Sequence, residues 1–182
     1  MTALADILQL AAALLTVTAA LTDLRSRTIP NWLVVTGLIA GFLLNIYLDG
    51  WAGLRLAAGG FGLALLIYVP MYMLRAMGGG DVKLMAAVGS ITGAHNWFLI
   101  FLFTSMIGGV IALIFLLFRG RLGRSLQNVG YILHEMLHLR APHASRSDLD
   151  IGGSEAVTMP HGVAISLGTL MFLMLLRGGF LT

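Results

Sequence analysis

Apolar residues dominate this chain in long runs, and most charged residues fall in the breaks between them. Six runs stand out, at residues 3–22, 31–48, 52–74, 82–94, 96–118 and 159–176. Each is predominantly apolar, which marks a helix surrounded by lipid or protein rather than one lying half in water. Most come close to the ~20 residues that carry a helix across ~30 Å of hydrocarbon. The pattern therefore predicts an all-α, polytopic membrane protein with six transmembrane helices in one bundle. A single domain spans residues 1–182, with a long polar loop at 119–158 inserted between helices five and six.

The fourth run is the short one. About 13 residues at ~1.5 Å each reach only ~20 Å, so this segment either starts back among the preceding glycines or crosses in locally thinned or protein-filled surroundings. Glycine and proline (Gly37, Gly41, Gly59, Gly60, Pro70, Gly108, Gly109) recur inside the runs, as membrane helices permit and soluble helices seldom do.

Composition agrees with the pattern. Of the 182 residues 58% are hydrophobic and 10% charged, with a mean hydropathy of +0.92; a soluble domain carries about a quarter charged residues. There is no cysteine, which removes disulfides, thiolate catalysis and cysteine-based zinc sites. The start, MTALADILQL, lacks the basic region of a cleavable signal and is expected to be a retained anchor.

The net charge of +3 does not point to nucleic acid; in a membrane protein basic residues report orientation. With the N-terminus outside, Arg25, Arg27, Arg75, Lys83, Arg119, Arg121, Arg124, Arg140 and Arg146 are cytoplasmic, nine of the eleven cations, and only Arg55 and Arg177 are external. Were the fourth run re-entrant, the loop at 119–158 and its five arginines would move outside. The charge count therefore favours a crossing.

Only eight acidic residues exist. On this topology Asp6 and Asp49 are external, and Glu135, Asp148, Asp150 and Glu155 fall in the long loop. Asp23 and Asp81 remain. Asp23 closes the first run in LTDLRSRTIPNWL, and Asp81 opens the fourth in RAMGGGDVKL. Though 58 positions apart, they share one depth at the cytoplasmic boundary. A carboxylate there is costly unless paired, solvated or facing a cavity. Each could instead snorkel, Asp23 beside Arg25 and Arg27, Asp81 beside Lys83.

The context of Asp81 decides between these readings. Gly78, Gly79 and Gly80 cost a helix roughly 1 kcal/mol each against alanine. They suit a place where an extended peptide lies against bare backbone. Two neighbouring carboxylates can share one proton and work as an aspartyl hydrolase, the ionised one drawing a proton from water and the other donating. Helix ends suggest the roles. Asp81 at an N-terminus is expected to start as the base, and Asp23 near a C-terminus as the acid, although strictly the pair titrates as a unit.

These residues resemble a known family. GGGDVKLMAAVG, which contains a GxGD motif ending at Asp81, looks like the signature of type IV prepilin peptidases. TDLRSRTIPNWL resembles their first catalytic segment, with Asp23 followed by Pro30 and Asn31, and MPHGVAISLG at 159–168 resembles the start of their last helix. The three blocks in this order span nearly the whole chain. The resemblance implies an inner-membrane aspartyl endopeptidase that removes basic leaders from prepilins at the cytoplasmic face, just before the apolar pilin helix. Asp23 and Asp81 would be catalytic. Gly78, Gly79, Gly80, Lys83, Pro30 and Asn31 would bind substrate or shape the site. The partners implied are a prepilin and membrane lipid, with no nucleic acid, no metal and no cofactor. Bifunctional members add a methyltransferase activity and a cytoplasmic domain, often with four cysteines. Without cysteine, and with a short link between the first two runs, this chain looks like the peptidase-only form of tight-adherence (Flp) pili. His161 stands where that family more often carries an aromatic residue.

Two readings compete. His134-Glu135-Met136-Leu137-His138 is a literal HExxH, which on a helix could bind zinc with the glutamate as base; His143, Asp148, Glu155 or His161 could supply a third ligand. Intramembrane zinc proteases, however, carry that motif in a spanning helix, whereas LQNVGYILHEMLHLR reads better as an amphipathic helix on the membrane surface. The other alternative is a carrier or assembly subunit whose intramembrane carboxylates bind a proton or cation, but the matched broken-helix repeat it would need is not seen. Of the smaller features, Lys83 reads as a snorkelling cation, Pro30 and Asn31 as a helix start, and His95-Asn96 as an outer turn. Trp32, Trp51 and Trp97 read as interfacial aromatics.

Overall fold

The computed structural model describes residues 3–74, 77–118 and 161–181. The long loop, its HExxH segment, and Arg75 lie outside the described residues. Within them the chain is all-helical. α1 runs Ala3–Ser26, α2 Asn31–Met73, α3 Gly79–Phe118 and α4 His161–Arg177. The first three contain stretches long and apolar enough to cross a membrane, and α4 is a shorter apolar helix.

Two glycines interrupt the long helices. Gly50 (φ 54°, ψ −124°) breaks α2 and Gly93 (φ 76°, ψ 168°) breaks α3. Both have backbone angles that a side chain disfavours, and the chain folds back at each. Asn45 and Gly53 would stand ~12 Å apart along a straight helix, yet their backbones touch. Likewise the Trp97 indole Nε1–H donates to the Met85 carbonyl at 2.9 Å, across a gap that a straight helix would stretch to ~18 Å. The breaks fall where the apolar pattern placed the ends of its second and fourth runs, but Gly93, rather than His95-Asn96, makes the second reversal.

A freed helix end leaves carbonyls without partners, and Asn45 meets this need at the α3 break. Its amide donates to the carbonyls of Gly41 (2.8 Å), Ser90 (3.0 Å) and Ile91 (3.2 Å), tying α2 to α3 inside the bundle. Nearby, Gly60 and Gly89 bring the two backbones so close that a Cβ on either would strike the other's carbonyl. This is helix packing by small residues, with Ala12, Ala19, Ala57 and Ala64 also fully enclosed. Large side chains such as Leu14, Leu43, Leu66 and Leu117 point outward. Such inversion fits lipid as the surrounding solvent, where close backbone approach and interhelical hydrogen bonds replace the hydrophobic drive.

Trp32 and Trp51 are 63% and 68% exposed, as interfacial aromatics should be, but Trp97 is fully buried. It stacks on Phe101 with ring centroids 5.7 Å apart and meets Tyr68 edge-on at 6.0 Å. It belongs to the core, and the expectation of an interfacial Trp97 is corrected accordingly.

α1 and α4 run antiparallel. At one end the Arg177 Nε–H donates to Gln9 Oε1 at 3.0 Å, and the guanidinium lies 3.7 Å from Asp6. At the other end Gly162 meets Asp23. That second end is where the site forms.

Candidate active site

Asp23 sits in the last turn of α1 and Asp81 in the first turn of α3. Helix α1 stops just beyond Asp23 because Arg27 turns into the left-handed region (φ 51°), an uncommon conformation for a residue with a side chain. The Arg27 N–H donates to the Asp23 carbonyl at 2.8 Å, closing the last turn. Ser26 caps it further, its Oγ 2.8 Å from the Thr22 carbonyl and 3.0 Å from Thr28 Oγ1. Pro30, extended (φ −63°, ψ 135°), then starts α2 as its N-cap.

On the facing side, α3 starts among the glycines. The Asp81 N–H donates to the Gly78 carbonyl at 3.2 Å, and Gly78 returns a backbone hydrogen bond to the Asp81 carboxyl. A Cβ on Gly78 would lie 3.3 Å from Asp81 Oδ2. Gly80 rests against Ile29 and Gly79 against the Tyr72 ring. The three glycines therefore let α3 begin tightly against the α1–α2 turn while leaving the carboxyl uncovered.

The two halves enclose one cavity of about 330 Å³. Asp23, Arg27, Thr28, Ile29 and Asn31 line one side; Gly78, Gly79, Gly80, Asp81 and Lys83 line the other. Asp23 is 8% exposed, and Asp81 is half-buried. Each lies within the electrostatic reach of the other, and His161 is close enough to act on Asp81 as well. Every residue that the sequence singled out for the site lines this cavity except Pro30, which holds the helix start beside it. Lys83 does more than reach for solvent, since its Nζ–H donates to Asn31 Oδ1 at 3.1 Å and so bridges α3 and α2 at the edge of the cavity.

One contact was not foreseen. The Gly162 N–H, at the start of α4, donates to Asp23 Oδ2 at 2.9 Å. A Cβ at that position would come within 3.0 Å of both Asp23 Cβ and Oδ2, so glycine is what allows the amide to approach. Each carboxyl thus accepts one backbone N–H, from Gly162 or from Gly78. The block MPHGVAISLG puts a glycine at the head of a helix, but nothing in it points to Asp23 as a partner.

Among the described residues no group of three His, Cys, Asp or Glu side chains gathers to hold a metal ion. The site offers two carboxyls lining one cavity with room for water, backbone donors and a polar rim. This is the equipment of general acid–base hydrolysis.

No curated protein and no solved structure matches the chain. The model of the type IV leader peptidase family matches residues 10–113, more than half of the chain and inclusive of Asp23, the glycine turn and Asp81. The chain belongs to the type IV leader peptidase family.

Proposed function

We propose that this membrane peptidase is of the aspartic type and removes the basic leader from type IV, Flp-like prepilins, using Asp23 and Asp81. The observation that carries the reading is the shared cavity. Two carboxyls from distant parts of the sequence wall a single space at one end of the bundle, and each is steadied by a backbone amide.

The chemistry follows from that pair. The ionised carboxylate takes a proton from water as the water oxygen attacks the scissile carbonyl carbon; the protonated partner gives its proton to the carbonyl oxygen. Collapse of the tetrahedral intermediate breaks the C–N bond, and the leaving amine takes up a proton from the pair. One water is consumed, releasing an acid and an amine. The two carboxyls differ in burial and in the nearness of His161 to Asp81; the helix ends favour Asp81 as the first base and Asp23 as the acid. Gly79 and Gly80 let α3 start close against Tyr72 and Ile29 beside the cavity, and Lys83 with Asn31 shapes the rim.

The proposed setting is a bacterial inner membrane crossed six times, N-terminus outside and active site facing the cytoplasm. The distribution of cations supports this orientation, and the reversals at Gly50 and Gly93 support the count. Methyl transfer is not part of the proposal. The test is co-expression with a Flp-type prepilin. Wild type should shorten it, with or without EDTA, and Asp23→Asn and Asp81→Asn should each leave it full length while still accumulating in the membrane. Processing that survives either substitution would refute the two-carboxylate mechanism.

A further inference from the structure

Beside the catalytic cavity lies a second cleft of about 320 Å³, between the distal half of α3 and the start of α4. Its α3 wall is a helical stripe, Phe101, Ser105, Gly108, Gly109 and Ala112, that meets Ala164 and Ile165 of α4. Gly108 faces the Ala164 methyl, where a Cβ would sit 3.6 Å away, while Gly109 has nothing within 4 Å. Ser105 and Gly109 are exposed on the outer surface of the bundle, so the cleft opens sideways.

The two spaces are contiguous along the chain. Met77 lines the cleft and Gly78 the cavity. His161 lines the cleft, and the next residue, Gly162, holds Asp23. Their linings differ in character. The cavity is rimmed by Arg27, Thr28, Asn31 and Lys83; among the described residues the cleft has His161 as its one ionisable side chain besides the buried Tyr68. An apolar cleft and a polar cavity therefore flank the same two points of the chain, 77–78 and 161–162.

We propose that this cleft is the subsite for the apolar helix on the C-terminal side of the scissile bond, and that the helix enters it sideways from the membrane. This rests on the peptidase reading above and adds the position of the substrate. The small residues let a helix backbone approach α3 closely, the way helices associate where water supplies no drive. The polar part of the substrate stays at the rim while the apolar part remains in a lipid-like setting throughout.

The test uses Gly109→Leu in the full-length protein, reconstituted in lipid. The substitution meets open space within the protein and improves helix propensity, so the bundle should keep its melting temperature. Gly62→Leu, equally open and on the outer face of α2, is the control. KM for a prepilin retaining its apolar helix should rise at least tenfold in Gly109→Leu, while cleavage of a short peptide lacking the helix stays within twofold. An unchanged KM for the helical substrate overturns the proposal.

Because the chain has no cysteine, a second measurement is clean. Ser105→Cys and Gly109→Cys, each in an Asp81→Asn background, should form disulfides with substrate cysteines spaced three or four residues apart along the helix. Cross-linking no stronger than from Gly62→Cys would mean that lipid alone fills the cleft, and would overturn the proposal. Cleavage of the short peptide by wild type, and its loss in Asp81→Asn, tests the underlying peptidase reading separately.

Discussion

Gly162→Ala isolates the least expected contact in the site. The added methyl would lie 3.0 Å from Asp23 Cβ and Oδ2 and 3.3 Å from Cγ, closer than carbon atoms pack, so the carboxyl must swing or α4 must retreat. In either case the 2.9 Å hydrogen bond from the Gly162 amide lengthens or breaks. A hydrogen bond to a charged group contributes about 1.5–3 kcal/mol. At ~1.4 kcal/mol per tenfold, that corresponds to a loss of roughly 10- to 150-fold in rate if the bond matters fully in the transition state. A displacement of about 1 Å in a reacting group independently costs ~100-fold.

Stability should fall only modestly, because position 162 begins α4 and the crowding against Asp23 costs about 1–3 kcal/mol, offset in part by the better helix propensity of alanine. The expected result is a protein that still folds and melts cooperatively and whose kcat for prepilin cleavage falls ~10- to 100-fold, with KM little changed. The assay is time-resolved cleavage by purified enzyme in lipid nanodiscs, read by gel mobility, beside a thermal melt of the same sample. A variant that cleaves within twofold of wild type and melts normally would show that the Gly162 amide does not position Asp23, and the account of the site would lose its α4 wall.

Other outcomes follow from the same geometry. The Lys83–Asn31 hydrogen bond spans α3 and α2 at an exposed position, so a double-mutant cycle of Lys83→Met and Asn31→Ala should give a coupling of about 0.5–1.5 kcal/mol in kcat/KM; additive effects would mean that the pair does not act together. Asn45→Ala strips three buried carbonyls of a donor and should destabilise the bundle by about 1–3 kcal/mol, seen as a lower thermal midpoint before any effect on KM. EDTA should leave prepilin cleavage unchanged, whereas an enzyme working through the HExxH segment would be inactivated. Arg177→Ala removes the far clamp on α4 and should lower kcat by about twofold to tenfold with under ~1 kcal/mol lost in stability; full activity would show that α4 needs no anchor there.

What could be read from the sequence, and what could not, divides along physical lines. Asp23 and Asp81 stood out because a carboxylate in an apolar chain needs a reason, and the run pattern put both at helix ends on one side. The helices themselves were legible from run length, and the break at Gly50 lies near a run boundary. Facing was not legible. A predominantly apolar span has no polar stripe to reveal its inner face, so Trp97 could be read as an interfacial anchor while it lies at the centre of the packing. Asn45 offered a cue that was passed over, a lone amide inside an apolar run, which lipid forbids unless it is paired. The Gly162 amide left no cue of its own kind, because every residue but proline has an N–H. Only its position in space makes it a ligand for Asp23.

That position is itself a consequence of helix geometry. On α1, Gln9 and Asp23 stand ~21 Å apart at ~1.5 Å per residue; on α4, Gly162 and Arg177 stand ~22 Å apart. The two helices run antiparallel with these pairs in register, Arg177 on Gln9 and Gly162 on Asp23. A helix end carries free amides by construction, and matching the lengths delivers one of them to the carboxyl with no side chain spent on the task. The other carboxyl receives its amide from the glycine turn before α3. Both acids thus accept hydrogen bonds from backbone, which neither titrates nor changes rotamer. Two carboxyls at the ends of apolar helices can in this way be held by the helix ends themselves.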